Sequence, residues 1–483
     1  MNYKMVFKVV GRLLQVEAAL MLLPFAVSLY YRENMTLTLI YCAVIAALAL
    51  TGTAFTLSKA KTKSIYAREG FLIVALSWVV MSLFGCLPFF ISGAIPSFVD
   101  ALFETVSGFS TTGSTILSNI EALPKSLLFW RAFTHWIGGM GIIVFVLAVL
   151  PQNDMQSMHI MRAEVPGPTV GKLVSKTKVT ARILYFIYSF FTLAETVALL
   201  CCKLPLFDSV TTAFATAGTG GFAIKNASIA AYDNIAAEIV ITLFMLLFGV
   251  NFNLFYLIVI RQIKRVFKSE EFWTYIGIFA VSTALIAIDI YPLVNSLGTA
   301  LRQSGFQVAS IVTTTGFVTA DFAKWPTLSQ FILLLLTFCG ACAGSTGGGL
   351  KIGRIMILVK AGIREMRRAI NPRSVKCIKL DGAVVEKETV STTCVYFLIY
   401  MLIIAFSSII VSLNDFDMIT TLSSVITCIN NVGPGFGGVG PVENFADFSV
   451  LSKLVLTADM LIGRLEIFPM IILFMPSVWK RKA

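Results

Sequence analysis

Four short polar turns, each built around a glycine, interrupt a chain that is otherwise apolar enough to span a membrane. They read Thr111-Thr112-Gly113-Ser114, Thr219-Gly220-Gly221-Phe222, Thr314-Thr315-Gly316-Phe317 and Asn431-Val432-Gly433-Pro434. The glycines at 113, 221, 316 and 433 lie 108, 95 and 117 residues apart, so one unit recurs at a loose period. Each turn follows a short amphipathic stretch and precedes a long apolar one. Irregular backbone survives at membrane depth only where protein buries it or where it lines a water-filled cavity. Four such segments meeting on one axis would present a ring of main-chain carbonyls, which is the chemistry of a cation filter.

Hydrophobic residues make up 57% of the 483 and charged residues 13%; the mean hydropathy is +0.84. A soluble domain cannot hide that much apolar surface, so the bilayer is the solvent for most of the chain. Apolar stretches of spanning length run roughly 13–31, 37–57, 71–92, 127–150, 180–202, 235–260, 273–293, 327–360, 391–413 and 450–478, ten spans in all. No small-residue cleavage site follows the first, so no cleavable signal peptide is expected.

The net charge of +12 does not mark a nucleic-acid surface, because the basic residues fall in alternate loops. Lys4, Lys8 and Arg12 precede the first span, and Lys59, Lys61, Lys63 and Arg68 follow the second. Further groups are Arg162, Lys172, Lys176 and Lys178, then Arg261, Lys264, Arg265 and Lys268, then the run 351–379, then Lys480, Arg481 and Lys482. The intervening connectors carry acids instead, among them Glu33, Asp100, Asp208, Asp321, Glu443 and Asp447. That asymmetry puts both termini in the cytoplasm.

Between spans three and four lies a shorter segment, 97–110, and comparable ones precede the other three turns. They are too short to cross and read as re-entrant helices. The fold expected is therefore an all-α integral membrane protein, with two leading transmembrane helices (1–58) and four pseudo-symmetric helix–pore-helix–filter–helix repeats. The repeats occupy 70–150, 179–265, 272–380 and 388–483. Asp100, Asp208, and Asp415 with Asp417 sit near the starts of three short helices, where carboxylates suit the positive end of the dipole. Asn295 and Ser296 serve the third helix more weakly. The negative ends then face the turns and favour a cation there.

One span is abnormal. The run 339–351 places Gly344, Ser345, Thr346, Gly347, Gly348 and Gly349 in succession inside an apolar helix, and each glycine costs about 1 kcal/mol relative to alanine. Consecutive small residues fit a loop obstructing the pore; the alternative is close helix packing. Arg464 lies in the last span, where a cation costs about 2.5–3.5 kcal/mol to insert. It reads as a pore-facing electrostatic barrier; the alternative is a structural pair with Asp459 or Glu466. Glu17 and Glu195 receive no role.

Other motifs fail on context. The GxGxxG of 435–440 follows no strand, and Leu350 spoils a phosphate-loop reading of 344–351. Cys339 and Cys342 form a lone CxxC. His135 and His159, the only histidines, are not at ligand spacing. No base accompanies the many Ser and Thr, so an enzyme is not expected.

With its four turns, the segment Trp136-Ile-Gly-Gly-Met-Gly141, the run GSTGGGLKIGR and the late Arg464, the chain resembles the Trk/Ktr/HKT superfamily of potassium uptake proteins. Its two leading helices and its length are similar to the TrkH branch. That resemblance implies K⁺ as the transported ion and a pore within one chain. Gly113, Gly221, Gly316 and Gly433 would stand at the filter, with carbonyls of Thr111, Thr112, Thr219, Gly220, Thr314, Thr315, Asn431 and Val432 lining the path. In related plant members a serine at the first glycine goes with sodium permeation, so Gly113 favours K⁺. The loop at about 343–349 would be the gate, with Arg464 as the pore arginine. The resemblance also implies a homodimer in the cell membrane, seated on a cytosolic ring of RCK-type, TrkA-like nucleotide-binding subunits. Nucleotide would then act through the partner, since this chain offers no cofactor site, and 364–379 would be part of the contact or a lipid-facing anchor. The competing readings are a symporter moving K⁺ with H⁺ or Na⁺, although the turns carry no ionisable group, and a relative permeable to both Na⁺ and K⁺.

Overall fold

The long helices arise from apolar runs whose two faces differ. In Lys387–Val411, Leu398, Leu402, Phe406 and Ile409 point outward and are exposed, while Tyr396, Tyr400, Ile404, Ser407 and Val411 are buried on the opposite side. An exposed aliphatic stripe of that length has hydrocarbon as its natural solvent. In the computed structural model, residues 3–57, 67–141, 177–373 and 376–476 are described. The expectations for Lys59, Lys61, Lys63, Arg162, Lys172, Lys176, His159, Lys480, Arg481, Lys482 and the end of the 127–150 span lie outside the described residues, as do the side chains of Arg68 and Lys178.

Six helices among the described residues are long and apolar enough to cross a membrane: Tyr3–Tyr30, Met35–Thr56, Glu69–Ile91, Ala181–Cys201, Glu270–Val294 and Lys387–Asn414. The first two are the leading pair, which cross closely because Gly11 and Gly52 each leave room for the other's carbonyl, 2.7 Å from the position a Cβ would take. The other four are the incoming helices of four successive units. A short helix follows each: Phe98–Phe109 (I), Leu206–Ala217 (II), Leu297–Val312 (III) and Met418–Asn430 (IV). Turn and outgoing helix come next.

The outgoing helices are where structure and expectation differ. The sequence predicts one broken outgoing helix; among the described residues three are broken. Ile235–Phe248 and Phe252–Val259 meet at 90°. Thr327–Thr337 and Ile352–Ile370 are separated by the glycine-rich run, and Val450–Arg464 stops before Phe468–Phe474. Outgoing helix I, Lys125–Gly139, ends close to the limit of the described residues.

Two of the breaks satisfy each other. The bend at 249–251 frees the carbonyls of Phe248 and Gly249 and the amide of Phe252. The run in unit three supplies their partners: Cys342 N donates to Gly249 O at 3.1 Å, Thr346 N to Phe248 O at 3.4 Å, and Phe252 N to Gly344 O at 3.0 Å. Buried main-chain groups need such partners. Gly249 and the capping Asn251 mark the bend locally, but the partners that satisfy its freed groups come from another unit. In the third, Glu466 and Ile467 have φ of 58° and 64°, a conformation a β-branched residue adopts only when packing imposes it, and Ile467 is fully buried.

Sheet structure among the described residues is slight. Cys339 and Gly340 pair in parallel with Leu350 and Lys351, closing the base of the glycine-rich loop. Lys379–Leu380 pairs antiparallel with Ala383–Val384 in a hairpin after the basic helix. The largest apolar cluster joins the leading helices to units one and four, and further clusters knit units two and three together.

Candidate functional site

Each short helix ends in the same way. The first turn residue adopts a left-handed conformation and the glycine two residues on adopts it again: Thr111 and Gly113 at 56° and 84°, Thr219 and Gly221 at 54° and 73°, Thr314 and Gly316 at 58° and 84°, Asn431 and Gly433 at 55° and 93°. The amide between them reaches back to the helix, with Thr112 N on Ser107 O, Gly220 N on Ala215 O, Thr315 N on Ser310 O and Val432 N on Thr427 O, all at 2.8–3.0 Å. These bonds close the helix ends. The negative end of each dipole therefore lies beside its turn.

The turns also touch one another in chain order. A Cβ on Gly113 would sit 2.0 Å from Gly220 O, on Gly221 2.1 Å from Thr315 O, on Gly316 2.2 Å from Val432 O, and on Gly433 2.8 Å from Thr112 O. The last contact returns to the first turn, so the four form a closed ring. One cleft of about 140 Å³ is lined by all four glycines, together with Ser114, Thr115, Phe222, Val318, Glu443 and Asn444, which follow them in the chain. Eight of the twelve turn residues singled out in the sequence make these contacts, and Thr111, Thr219, Thr314 and Asn431 open the four turns.

The glycine-rich loop lies on the other side of the ring, against residues that precede the glycines. Gly348 N donates to Thr314 Oγ1 at 2.7 Å. Gly347 and Gly348 lie so near Thr313 O and Asn430 O that a Cβ would come within 3.0 and 2.8 Å of them. Ser345, Thr346, Gly347 and Gly348 are buried; Gly344 and Gly349 are half-buried. Lys351, also buried, donates to Gly347 O within the loop. Asn431 Nδ2 adds a lateral tie, donating to Thr112 Oγ1 and Met460 O, both at 2.9 Å.

Arg464 reaches the same region. Its Nη1 donates to Thr346 O at 2.7 Å and its Nη2 to Gly138 O and Gly139 O at 2.6 Å. Neither carboxylate suggested as its structural partner takes that part. Glu466 is paired with Arg354, and Asp459 accepts from Ser407 Oγ at 2.9 Å. Arg464 fastens the loop of unit three to the outgoing helix of unit one.

The capping pattern also differs in detail. Ser97, not Asp100, caps short helix I by accepting from Asp100 N, while the Asp100 carboxylate pairs with Lys453 at 2.7 Å. Pro205 precedes short helix II, with Asp208 in its first turn accepting from Tyr232 Oη at 3.0 Å. Asp417 and Ser296 do cap helices IV and III, whereas Asp415 and Asn295 end the preceding elements in left-handed conformations.

Sequence reasoning missed a buried ion pair behind the ring. Arg131 Nε donates to Glu104 Oε1 at 2.6 Å with both residues buried, and Arg131 Nη1 donates to Ala223 O at 2.8 Å. Glu104 also accepts from Thr115 Oγ1 and Ile116 N, and the Arg131 guanidinium lies 3.4 Å from the centroid of Phe222. The pair fixes the chain just after turns I and II. An acid inside a short amphipathic helix and an arginine inside an apolar span are the signals that could have found it. Nearer the surface, Lys225 and the Asn226 amide hold the Glu121 carboxyl below its ordinary range and tie the same two segments together.

Comparison with known proteins agrees with this geometry. A family profile described as TrkH, cation transport protein, matches residues 36–481. The Trk system potassium uptake protein TrkH of Salmonella typhimurium is 36% identical over 99% of this chain and 100% of its own length. TrkG of Escherichia coli is 32% identical over 99% of both chains. The crystal structure of the potassium transporter TrkH from Vibrio parahaemolyticus superposes with a TM-score of 0.88, at 32% identity, over 99% of this chain and 100% of that one.

Proposed function

Because the chain belongs to the TrkH family of cation transport proteins, multi-pass membrane proteins rather than enzymes, we propose that it takes up K⁺ through a gated pore within one chain. The observation that carries this reading is the closed ring of four glycine turns opening on one cleft. In this reading the units 70–150, 179–265, 272–380 and 388–483 contribute one turn each.

Removing an ion's water in a low-dielectric medium costs tens of kcal/mol. Carbonyl oxygens of Thr111, Thr112, Thr219, Gly220, Thr314, Thr315, Asn431 and Val432 replace that water, and the short-helix dipoles add negative potential. Gly113, Gly221, Gly316 and Gly433 admit the left-handed turns that aim the carbonyls. Four unequal turns with one left-handed glycine each make a short filter, hence looser K⁺/Na⁺ discrimination than a long ring of identical loops. Beneath it, residues 344–349 block the path and Arg464 holds them there, its charge repelling cations while the loop is closed.

The exposed cations Arg367, Lys376 and Lys379 line a cleft of about 360 Å³ with Lys360 and Arg364, at the end of the outgoing helix of unit three. That face suits an acidic cytosolic surface, as an RCK-type nucleotide-binding ring beneath a homodimer would provide, with both termini cytoplasmic. The test is ⁸⁶Rb⁺ uptake into proteoliposomes containing this chain alone, with Na⁺ in competition. Flux that follows the K⁺ gradient without proton or sodium movement is expected. Obligatory co-movement of either ion makes the protein a symporter instead, and no flux in any condition removes the pore reading.

A further inference from the structure

Glu271 belongs to none of the groups discussed so far. It stands in the first turn of incoming helix III, Glu270–Val294, and is buried. One of its oxygens, Oε1, accepts from Ala343 N at 2.8 Å and from Gly353 N at 2.9 Å. Those two amides bracket the glycine-rich loop, one on each side. Gly353 is glycine for a local reason: its Cβ would come within 2.9 Å of the same oxygen. Away from water, losing a shared acceptor leaves both amides unpaired, which costs more than either bond gains.

The neighbouring residue faces the opposite way. Glu270 pairs with Lys360 on the basic helix, and its amide donates to Asp381 Oδ1, in the turn of the 379–384 hairpin, at 2.6 Å. Two adjacent residues at one helix start thus hold the loop on one side and the cytoplasmic hairpin on the other. The basic cleft is continuous with that hairpin through Lys379.

We propose that Glu271 is a positioning residue that latches both ends of the 344–352 loop against the ring, and that residues 270–271 transmit displacement of the hairpin to the loop. This rests on reading the loop as a gate. With the latch made, only the residues between Ala343 and Gly353 are free to shift. With it broken, both ends loosen together and the loop leaves the ring. The charge is not what the latch needs; an acceptor in that place is enough.

The test compares ⁸⁶Rb⁺ flux through the full chain in proteoliposomes for Glu271→Ala, Glu271→Gln and deletion of residues 345–349, with the Rb⁺/Na⁺ ratio measured for each. Glu271→Ala should raise basal flux several-fold, toward that of the deletion. Glu271→Gln, whose amide oxygen accepts the same two bonds, should stay within about twofold of the native chain. The Rb⁺/Na⁺ ratio should hold in both Glu271 variants, because neither change touches the ring; the deletion, which removes the bond from Gly348 N to Thr314 Oγ1, serves as the flux reference alone. Should Glu271→Ala fail to fold, Gly353→Ala crowds the same oxygen from the loop side and is expected to raise flux alike. Native flux in folded Glu271→Ala or Gly353→Ala beside a raised flux in the deletion overturns the latch and leaves the gate standing. A deletion without effect overturns the gate itself, and the latch with it. A lowered Rb⁺/Na⁺ ratio in Glu271→Ala overturns the latch by assigning the residue to the ring.

Discussion

At the four ring glycines a left-handed φ disfavours a side chain, and a neighbour's carbonyl stands where one would begin. The two constraints are not equally severe around the ring. The space at Gly113 ends 2.0 Å from Gly220 O, while that at Gly433 ends 2.8 Å from Thr112 O. Gly113→Ser should therefore raise Na⁺ permeation relative to K⁺, and Gly433→Ala should disturb the ratio less than Gly113→Ala does; flux ratios in reconstituted vesicles check both. Behind the ring, removing one member of the Glu104–Arg131 pair strands a buried charge. Breaking a buried pair in that way costs about 3–5 kcal/mol. Arg131→Met alone should lower thermal stability markedly in a melting experiment on purified protein, more than the joint change with Glu104→Leu.

Broken helices complete one another at the scale of elements. The bend in outgoing helix II exposes main-chain groups that only the loop of unit three satisfies, and Arg464 in outgoing helix IV binds that loop to outgoing helix I. A loop so placed touches units two and four directly and is tied to unit one through Arg464. Deleting residues 345–349 should raise basal ion flux several-fold in vesicles, and unaltered flux would make the segment packing rather than gate. The leading helices take no part in these contacts. They pack on unit one, within the largest apolar cluster, which unit four also joins.

Charge organises the whole molecule. The ring and its cleft lie on the side of the connector that carries Glu443, and the basic cleft lies at the far end of outgoing helix III. Exchanging Arg364, Arg367 and Lys376 for Gln should leave the basal flux of the isolated chain within about twofold of native. It should abolish any change in flux that a cytosolic regulatory ring produces, as read by adding that partner to the vesicles. Since these side chains lie far along the chain from the turns, a shift in Rb⁺/Na⁺ selectivity is not expected.

Much of this was written in the chain itself. Apolar runs of spanning length determine membrane helices because hydrocarbon leaves the backbone no other partner than itself. A glycine recurring at a loose interval after each short amphipathic stretch points to four tight turns, since only glycine takes those angles freely. The order of the elements follows from both. Only the tertiary structure decided that outgoing helices II and IV break as well, that Ser97 caps where Asp100 seemed placed to, and that Arg464 binds carbonyls of two other units instead of Asp459 or Glu466. Glu271 and the Glu104–Arg131 pair were equally hidden, because their partners lie in other segments. Local pattern records what a residue prefers near its own backbone; a hydrogen-bond partner tens or hundreds of residues away enters only when packing brings it within 3 Å.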